Sequence, residues 1–547
     1  MKKFFLLLMM SGAFVCAPAQ EAQESCGEPA MCNYQVVPLP QSVQLLNDQP
    51  VKICRKATIS VADGNADMQR NARFLAGYLK EATGLDVPIG PKQKGQSAII
   101  LKLNPKIANA EGYRITVAKG DVTIEGQTPR GVFYGIQTLR KALPLTQGPA
   151  VFPAVVINDQ PRFGYRGMLL DVSRHIFPLS FVKQYIDMMA LHNMNTFHWH
   201  LTDDQGWRIE IKKYPKLTTE GSKRAYTVLG RNSRVDDGKP YGGYFTQEEC
   251  REIVEYARER YITVIPEIDM PGHMLGALTA YPELGCTGGP YHVAGRWGVY
   301  DDILCAGKEE VFSFVEDVLT EVMDIFPAEY IHIGGDESPR TRWKTCERCQ
   351  KRIAEEGLTA KNGQSPEARL QGYFTKRIEN FINNHGRKLI GWDELLESDV
   401  NESATIMSWR GTRGGIEASR KGHDVIMSPV GYCYFDYYQT ENHTWGEPLS
   451  FDITLPIEKT YSFNPAPPTL DAEAQKHIIG VQANLWTEYI PYATQAEYQV
   501  LPRMGALAEV QWMEPSQKDF SSFVERSQSL LGWYKHYGWH YATHIYR

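Results

Sequence analysis

Hydrophobic and polar positions follow one repeated pattern from residue 161 onward. A short, continuous apolar run is followed by a polar loop, and then by a longer stretch whose apolar residues recur roughly every 3.6 positions. Such apolar runs are typical of strands buried on both faces, and the longer stretches predict helices. The predicted strands are 167–172, 195–201, 263–268, 330–334, 388–392, 405–409, 424–428 and 478–484, and the predicted helices include 179–192, 247–260, 308–326 and 369–385.

Eight parallel strands that alternate with helices predict an α/β fold, a (β/α)8 TIM barrel, in which sites lie at the C-terminal ends of the strands. Polar and aromatic side chains follow all eight predicted strands, so we expect them to meet at one face. In strand order they are Asp171, Arg174 and His175; His200, Asp203 and Asp204; Glu267, Asp269 and His273; Asp336 and Glu337; Trp392; Trp409; Tyr434 and Asp436; and Trp486 and Glu488.

The segment before the barrel has a different pattern. It predicts a small α+β domain over 34–158, packed on a barrel that spans 159–547. Long insertions at 205–245, 270–307 and 435–477 are expected to shape the rim of the barrel mouth. The predicted elements of the small domain are the helices 66–83 and 131–143 and the strands 98–103, 113–118 and 122–125.

The N-terminus carries two lysines, an apolar run over 4–15 and a small-x-small sequence that ends at Ala19. This pattern predicts a signal peptide over 1–19, followed by a linker over 20–33, and therefore export, with the periplasm as the expected compartment. Cys16 raises the alternative of a surface lipoprotein, although bulky residues precede it. No later segment is predicted to span a membrane.

Composition excludes little else. The net charge of −6 and the lack of a basic stripe argue against nucleic acid as a partner. The 11 tryptophans and 29 tyrosines suit a carbohydrate site, but they equally suit large cores. The oligomeric state stays open.

Ten cysteines in an exported chain make disulfides possible. Cys286 and Cys305 bracket a Gly-rich insertion and are the first candidate pair. Cys346-x-x-Cys349 suggests half a zinc site or a redox pair, but no second Cys-x-x-Cys motif accompanies it and no thioredoxin-like pattern surrounds it. We therefore favour a local disulfide or two free thiols there.

The fourth predicted strand runs through two glycines into the adjacent carboxylates Asp336 and Glu337. Neighbouring charges repel each other and resist burial, so the pair suits acid–base chemistry better than folding. The alternative is that one of them caps a helix that begins near Ser338.

Other chemistries fit less well. His198 and His200 share one face of a strand, as in some metal sites, but three later strands end in tryptophan, which does not ligate metals. Cys433 and Ser173 lack an evident histidine base. No phosphate loop or dinucleotide fingerprint is present at a strand–helix junction.

Carboxylates, an arginine and three tryptophans around one pocket suit a sugar. Ordinary glycosidases separate two carboxylates by about 5 Å or by about 6.5–9.5 Å, across the bond that breaks. Adjacent residues such as Asp336 and Glu337 project in different directions. One of them could instead protonate the leaving oxygen while the other holds a nucleophile of the substrate itself. A 2-acetamido group is such a nucleophile, and tryptophans could enclose its methyl group.

These motifs together resemble glycoside hydrolase family 20, the β-N-acetylhexosaminidases, over about residues 34–515. Six motifs occur in the order that the family has. They are Asp171-Val-Ser-Arg174-His175, His198-Trp-His-Leu-Thr-Asp203-Asp204-Gln-Gly-Trp207, Asp269-Met-Pro-Gly-His273, His332-Ile-Gly-Gly-Asp336-Glu337, Gly391-Trp392-Asp393-Glu394 and Leu485-Trp486-Thr-Glu488.

The resemblance implies a retaining, substrate-assisted mechanism with neither a metal nor an organic cofactor. Glu337 would be the general acid and then the general base. Asp336 would orient and charge-stabilise the acetamido group as its oxygen attacks the anomeric carbon, giving an oxazolinium intermediate. The other implied roles are Tyr434 as donor to the acetamido oxygen, Trp392, Trp409 and Trp486 as walls of the methyl box, Arg174 on the 3- and 4-hydroxyls, Asp436 and Glu488 on the 4- and 6-hydroxyls, and Asp203 and His273 as a relay that tunes Glu337.

The leading hypothesis is therefore an exo-acting enzyme that removes terminal β-linked N-acetylglucosamine or N-acetylgalactosamine from glycans. A relative that releases a disaccharide or cleaves internally is the alternative within enzymes. A catalytically inactive sugar-binding protein is the alternative outside them. The sequence does not separate the gluco from the galacto preference.

Overall fold

The computed structural model describes residues 28–62, 64–398, 400–442 and 446–546. The predicted signal peptide and Cys16 lie outside the described residues. The strands are β1 (Ala30–Met31), β2 (Ser42–Leu45), β3 (Val51–Ile53), β4 (Thr58–Val61), β5 (Ala98–Leu103), β6 (Tyr113–Ala118), β7 (Asp121–Gly126), β8 (Ala150–Phe152), β9 (Val155–Asp159), β10 (Tyr165–Asp171), β11 (Thr196–His200), β12 (Thr202–Asp203), β13 (Gly206–Trp207), β14 (Lys223–Arg224), β15 (Tyr241–Gly242), β16 (Thr263–Glu267), β17 (Tyr330–His332), β18 (Lys388–Trp392), β19 (Thr405–Ser408), β20 (Val425–Met427), β21 (Tyr437–Tyr438), β22 (Phe451–Thr454) and β23 (Ile478–Leu485).

The α-helices are α1 (Ala66–Thr83), α2 (Pro129–Ala142), α3 (Leu179–Leu191), α4 (Lys216–Thr219), α5 (Gln247–Glu259), α6 (Leu275–Ala280), α7 (Glu309–Ile325), α8 (Thr341–Thr345), α9 (Glu347–Glu355), α10 (Pro366–Asn384), α11 (Arg413–Arg420), α12 (Val430–Cys433), α13 (Ile457–Ser462), α14 (Ala472–Lys476), α15 (Ala493–Val500), α16 (Arg503–Trp512) and α17 (Phe520–Tyr537).

The predicted barrel is confirmed. Its eight strands close in the order β10-β11-β16-β17-β18-β19-β20-β23, and all neighbours run parallel. Each predicted strand corresponds to one of these eight, with ends that differ by no more than two residues. The apolar runs are continuous because these strands are covered on both faces, by the barrel interior and by the surrounding helices.

The predicted small domain is α+β, as expected. Its main sheet has the order β2-β9-β6-β7-β5-β4, against which α1 and α2 pack, and β1, β8 and β3 form a second sheet. A buried ion pair joins this domain to the barrel: Nη1 of Arg166, on β10, lies 2.8 Å from Oε2 of Glu111. Burial opposes the charge on Glu111, but Arg166, together with Arg130 and Asn195, lowers its pKa overall.

Strand register brings the ends of neighbouring strands to one level. Asp171 pairs with His200, His200 with Glu267, and Glu267 with His332. These four polar side chains are buried at the C-terminal end of the barrel. The loops that follow these strands therefore start around one shared centre.

The predicted disulfide between Cys286 and Cys305 is wrong. Both are free cysteines, as are Cys346 and Cys349. The spacing along the chain could not reveal that all four thiols lie in one place, because Cys346 and Cys349 come from the next strand–helix loop.

Among the described residues, no helix is both long and apolar enough to cross a membrane.

Candidate active site

A cavity of about 210 Å³ lies at the C-terminal end of the barrel, and we call it the inner pocket. Ten of the eleven site residues predicted from sequence line it, and His273 lies directly behind the carboxylates. An outer chamber adjoins the pocket and shares Arg174, Glu337, Phe451 and Glu488 with it. The predicted residues that line the inner pocket are Arg174, Asp203, Asp336, Glu337, Trp392, Trp409, Tyr434, Asp436, Trp486 and Glu488.

Backbone geometry explains the two glycines before the carboxylates. Gly334 and Gly335 have φ of 66° and 96°, and Glu337 itself has a φ of 41°. A Cβ on Gly334 would lie 1.8 Å from Oδ1 of Asp269, so only glycine leaves room for that carboxyl group. The amide of Gly335 donates to the same oxygen at 3.1 Å. The loop is thus held in a conformation that turns both carboxylates inward.

The helix-capping interpretation of the carboxylate pair is wrong. The next helix, α8, begins at Thr341, its N-cap residue is Arg340, and no side chain caps it. Asp336 and Glu337 therefore precede the helix by a full turn and are left for the pocket.

Asp336 sits in the deeper position. Burial raises its pKa, and the nearby charges of Glu267 and Glu337 add to this effect. Burial likewise raises the pKa of Asp269 well above its usual range, with Asp336 as the next cause. Asp269 is therefore the proton carrier of this pair and can donate to Asp336. The other oxygen of Asp336, Oδ1, has no hydrogen-bond partner within the described part of the chain.

Glu337 is more open, with 41% of its side chain exposed. Its Oε2 lies 3.6 Å from Nε2 of His273, and hydrogen bonding to that ring lowers the pKa of Glu337. Nδ1 of His273 lies 3.1 Å both from Oδ1 of Asp203 and from Oδ2 of Asp204. Although burial lowers the pKa of His273, these carboxylates raise it well above the usual range. His273 is thus a buried imidazolium that faces Glu337.

Replacing His273 by glutamine is expected to move the whole pH profile of kcat/KM to higher pH. The imidazolium favours ionised Glu337 and ionised Asp336, so its removal raises both pKa values. In the roles that the sequence resemblance implies, the protonated form of Glu337 is lost as pH rises through its pKa, and the ionised form of Asp336 is lost as pH falls through its own pKa. Both limbs therefore shift in the same direction. The measurement is kcat/KM against pH for this variant and for the control His385→Gln, which changes an exposed histidine. Limbs of the profile that stay in place would contradict the coupling of His273 to the two carboxylates.

Aromatic side chains form one wall of the inner pocket. Nε1 of Trp392 donates to Glu267 at 2.9 Å, and Nε1 of Trp409 donates to Glu394 at 2.9 Å. With their polar atoms held by carboxylates, the indole rings present apolar surface to the cavity. Trp486 lies 5.9 Å from Trp392, and Tyr434 stacks on Trp409 at 6.2 Å between ring centroids.

Tyr434 provides a hydroxyl within this aromatic wall. Burial raises its pKa well above the usual range, and the charge of Asp436 raises it further. The hydroxyl therefore keeps its proton and can donate a hydrogen bond.

Arg174 is fixed by acceptors on several sides. Its Nη2 lies 2.8 Å from Asp203, its Nη1 lies 3.2 Å from Asp171, and its Nε donates to Gln205 at 3.0 Å. The guanidinium also lies over Trp486, 5.2 Å from the ring centroid. A cation held in this way has little freedom and can present one orientation to a ligand.

Asp436 and Glu488 are two further carboxyl groups that line the inner pocket. Burial raises the pKa of Asp436 well above its usual range and that of Glu488 to about 7. Both oxygens of Asp436 and Oε2 of Glu488 lack a hydrogen-bond partner among the residues described. Buried acceptors without donors are costly, so these two carboxyl groups suit a ligand that brings hydroxyl groups.

The sequence indicates Glu267 only as one of the polar residues at the strand ends and does not reveal its central role. His198 and His200 approach its Oε2 at 3.0 and 2.5 Å, and Trp392 donates to its Oε1. Burial opposes the negative charge on Glu267, but the surrounding histidines, His332 first, hold its pKa well below the usual range. The same contacts place the strand histidines within a hydrogen-bonded network. A carboxylate at the end of a buried strand was the available signal.

The outer chamber was also missed. Its walls come from insertions whose sequence shows no periodicity, so only their length indicated a role at the rim. Residues that line it include Val228, Asn232, Arg296, Trp297 and Tyr489, and Tyr437 and Phe451 were further residues of the inner pocket that the sequence did not indicate.

Comparison with known proteins decides the family. The profile of glycosyl hydrolase family 20, catalytic domain, matches residues 163–515, and the profile of domain 2 of the same family matches residues 33–160. The chain belongs to glycosyl hydrolase family 20. The resemblance seen in the sequence motifs is confirmed, and so is the class of enzyme, a glycoside hydrolase.

Relatives extend over most of this family 20 chain. A β-hexosaminidase of Porphyromonas gingivalis is 43% identical over 501 residues, which are 90% of this chain and 62% of that protein. The structure of a β-N-acetylhexosaminidase of Streptomyces coelicolor is similar with a TM-score of 0.79 at 32% identity, covering 93% and 97% of the two chains. An exo β-N-acetylglucosaminidase of Vibrio harveyi, solved in complex with N-acetylglucosamine, has a TM-score of 0.80 at 28% identity, covering 95% and 80%.

Proposed function

We propose that this family 20 enzyme is an exo-acting β-N-acetylhexosaminidase that releases terminal β-linked N-acetylglucosamine or N-acetylgalactosamine from glycans. The observation that carries the proposal is the unpaired, buried oxygen of Asp336, which faces a pocket walled by three tryptophans. An acetamido N–H fits that acceptor, and its methyl group fits the apolar wall. The complex of the Vibrio harveyi relative with N-acetylglucosamine supports this choice of sugar.

The mechanism uses a nucleophile that the substrate brings. Asp336 accepts the acetamido N–H and orients the carbonyl oxygen, which attacks the anomeric carbon as the glycosidic bond breaks. Glu337 gives its proton to the leaving oxygen. The product of this step is a cyclic oxazolinium ion, whose positive charge the carboxylate of Asp336 stabilises. Tyr434 donates a hydrogen bond to the acetamido oxygen.

The second step reverses the proton transfer. Glu337, now a carboxylate, takes a proton from a water molecule as that water attacks the anomeric carbon. The ring of the intermediate opens, the acetamido group is restored, and the sugar leaves with its configuration retained because two inversions have occurred. Asp203 and His273 modulate the pKa of Glu337 in both steps, as the contacts of His273 support.

Recognition of the rest of the sugar falls to the charged groups around the pocket. In this proposal Arg174 binds the 3- and 4-hydroxyls, and Asp436 and Glu488 accept hydrogen bonds from the 4- and 6-hydroxyls. The volume of the inner pocket that these carboxylates line, about 210 Å³, supports exo action on one terminal residue. The glycan beyond the cleaved bond would occupy the outer chamber, which adjoins Glu337.

Hydrolysis of paired aryl β-glycosides tests the proposal. One substrate carries a 2-acetamido group and the other a 2-hydroxyl group on the same ring. We expect turnover of the first alone, because only the first provides the internal nucleophile. Comparable turnover of both would mean that the protein supplies the nucleophile. No turnover of either, together with binding of N-acetylglucosamine, would favour an inactive sugar-binding protein.

We also propose that the chain is exported and works in the periplasm. The charged start, the apolar run and the small-x-small sequence before residue 20 support this. N-terminal sequencing of the protein from separated cell fractions tests it. A first residue near Gln20 in the periplasm is the expected result, whereas a lipid-modified Cys16 in the membrane fraction would replace periplasmic release with surface anchoring.

A further inference from the structure

Four cysteines from two loops meet beside the active site. Cys286 and Cys305 belong to the insertion after β16, and Cys346 and Cys349 follow β17. Their sulfur atoms all lie within 4.8 Å of one another. We call this group the four-cysteine cluster. It takes no part in the proposed sugar chemistry.

Distances between the sulfur atoms do not fit disulfides. Sγ of Cys305 lies 3.6 Å from that of Cys349 and 3.7 Å from that of Cys346, and Cys286 lies 3.8 Å from Cys349. A disulfide requires about 2.05 Å and joins each sulfur to only one other. Four sulfurs about 2.3 Å from a tetrahedral zinc ion lie about 3.8 Å apart.

We propose that the four-cysteine cluster binds one structural zinc ion. Four thiolates complete a tetrahedral coordination shell, so the ion keeps no open position for a water or a substrate. The role is therefore structural. Binding converts four thiols to thiolates and releases four protons, and the site with its ion carries a net charge of −2.

Local backbone structure positions both halves of the site. Cys346 is the N-cap residue of α9 and Cys349 lies in its first turn, so the two-residue spacing brings both thiols to the same end of the helix. On the other loop, the amide of Cys305 donates to the carbonyl of Leu284 at 2.9 Å, next to a bridge between Gly285 and Leu304. This short ladder brings Cys286 and Cys305 together.

Gly307 allows the two loops to meet. A Cβ at this position would lie 2.3 Å from the backbone carbon of Arg348 and 2.5 Å from the amide nitrogen of Cys349. The amide of Gly307 also hydrogen-bonds the sulfur of Cys305. Nearby, the ammonium of the buried Lys308 bonds the carbonyls of Glu283 and Gly285 at 2.6 and 2.7 Å. Amide donors and a buried cation are the surroundings that a negatively charged thiolate site needs.

The cluster ties together the two loops that carry the catalytic groups. Next to Cys305, the amide of Leu304 donates to Pro271, two residues before His273, at 3.0 Å. The carbonyl of Leu304 accepts from Nε1 of Trp343 at 3.0 Å, in the helix that follows Glu337. The amide of Gly272 donates to the hydroxyl of Ser338 at 3.1 Å. A metal at the cluster would therefore restrain the spacing between His273 and Glu337.

Metal analysis of the untagged, full-length protein tests the proposal directly. We expect one zinc per chain after gel filtration, and an intact mass that keeps the hydrogens of all four thiols once the zinc is removed. The double variant Cys286→Ser/Cys349→Ser should contain no zinc and have a lower Tm. Cys54→Ser, which changes a cysteine outside the cluster, should keep one zinc and the Tm of the wild type.

A second measurement covers the case in which the double variant does not fold. The wild-type protein is stripped with a chelator and reloaded with Co²⁺, and the visible absorption of a tetrahedral Co²⁺–thiolate site is recorded. That absorption, displaced by an equivalent of Zn²⁺, is the expected result. Metal-free protein that is four hydrogens lighter would instead reveal two disulfides and overturn the proposal, as would metal-free protein with four reactive cluster thiols and no cobalt spectrum.

Discussion

Replacing Glu337 by glutamine is expected to lower kcat/KM by about 10²–10⁴-fold for a β-N-acetylglucosaminide with a poor leaving group. The variant keeps the size and most of the hydrogen bonds of the side chain but has no proton to give to the leaving oxygen. A dinitrophenyl glycoside needs little protonation, so its kcat/KM should fall far less. The comparison uses kcat/KM because this constant reports the first chemical step, in which Glu337 acts as the acid.

The dependence on the leaving group distinguishes this role from damage to the fold. A plot of log kcat/KM against the pKa of the leaving phenol should be steeper for the Glu337 variant than for the wild type. Glu402→Gln, which removes an exposed carboxylate outside the pocket, should leave the plot unchanged. Equal losses for good and poor leaving groups would exclude Glu337 as the acid.

The architecture could be predicted because strands of a (β/α)8 barrel are buried on both faces. Their sequences become continuous apolar runs, and the polar residues that follow them must lie at one end of the barrel. Asp171, His200 and Glu267 illustrate this, since each ends a strand and each lies beside the next in register. The residues of the candidate site could therefore be predicted as the polar residues at the strand ends.

Side-chain geometry between loops could not be read in the same way. The Cys-x-x-Cys motif suggests half a zinc site, but no second such motif accompanies it, and the sequence pairs Cys286 and Cys305, nineteen positions apart, as a disulfide. A local ladder brings these two together, and only Gly307 lets them reach the motif. Likewise, no pattern of residue types reports the positive φ of Glu337 or the close approach of the Asp269 carboxyl group to Gly334.

Opposite pKa shifts on adjacent carboxylates pose a question for the mechanism. In the free chain the pKa of Asp336 is raised and that of Glu337 is lowered, whereas the first step needs ionised Asp336 and protonated Glu337. Asp269 addresses the first requirement, because it holds a proton that it can donate to Asp336. Substrate addresses the second: it covers the exposed part of Glu337 and removes water, which raises the pKa of a carboxylic acid.

Replacing Asp336 by asparagine is expected to lower kcat/KM by about 10²–10³-fold, the usual cost of losing one preorganised group that stabilises transition-state charge. Asparagine keeps the shape of the side chain but loses the negative charge that faces the developing oxazolinium ion. Every leaving group depends on this internal nucleophile. The loss should therefore be similar for good and poor leaving groups, and the slope against leaving-group pKa should match that of the wild type.

A stable thiazoline analogue of the cyclic intermediate gives an independent readout for Asp336. The analogue should bind the wild type more tightly than the Asp336→Asn variant. N-acetylglucosamine does not carry the positive charge of the oxazolinium ion, so the substitution should weaken its binding less. An unchanged slope together with a selective loss of thiazoline binding would show that the charge of Asp336 stabilises the cyclic intermediate. The steeper slope of the Glu337 variant would show that Glu337 gives the proton to the leaving group. Wild-type rates in the Asp336 variant would remove the negative charge of this residue from the mechanism, because a neutral amide would then serve equally well.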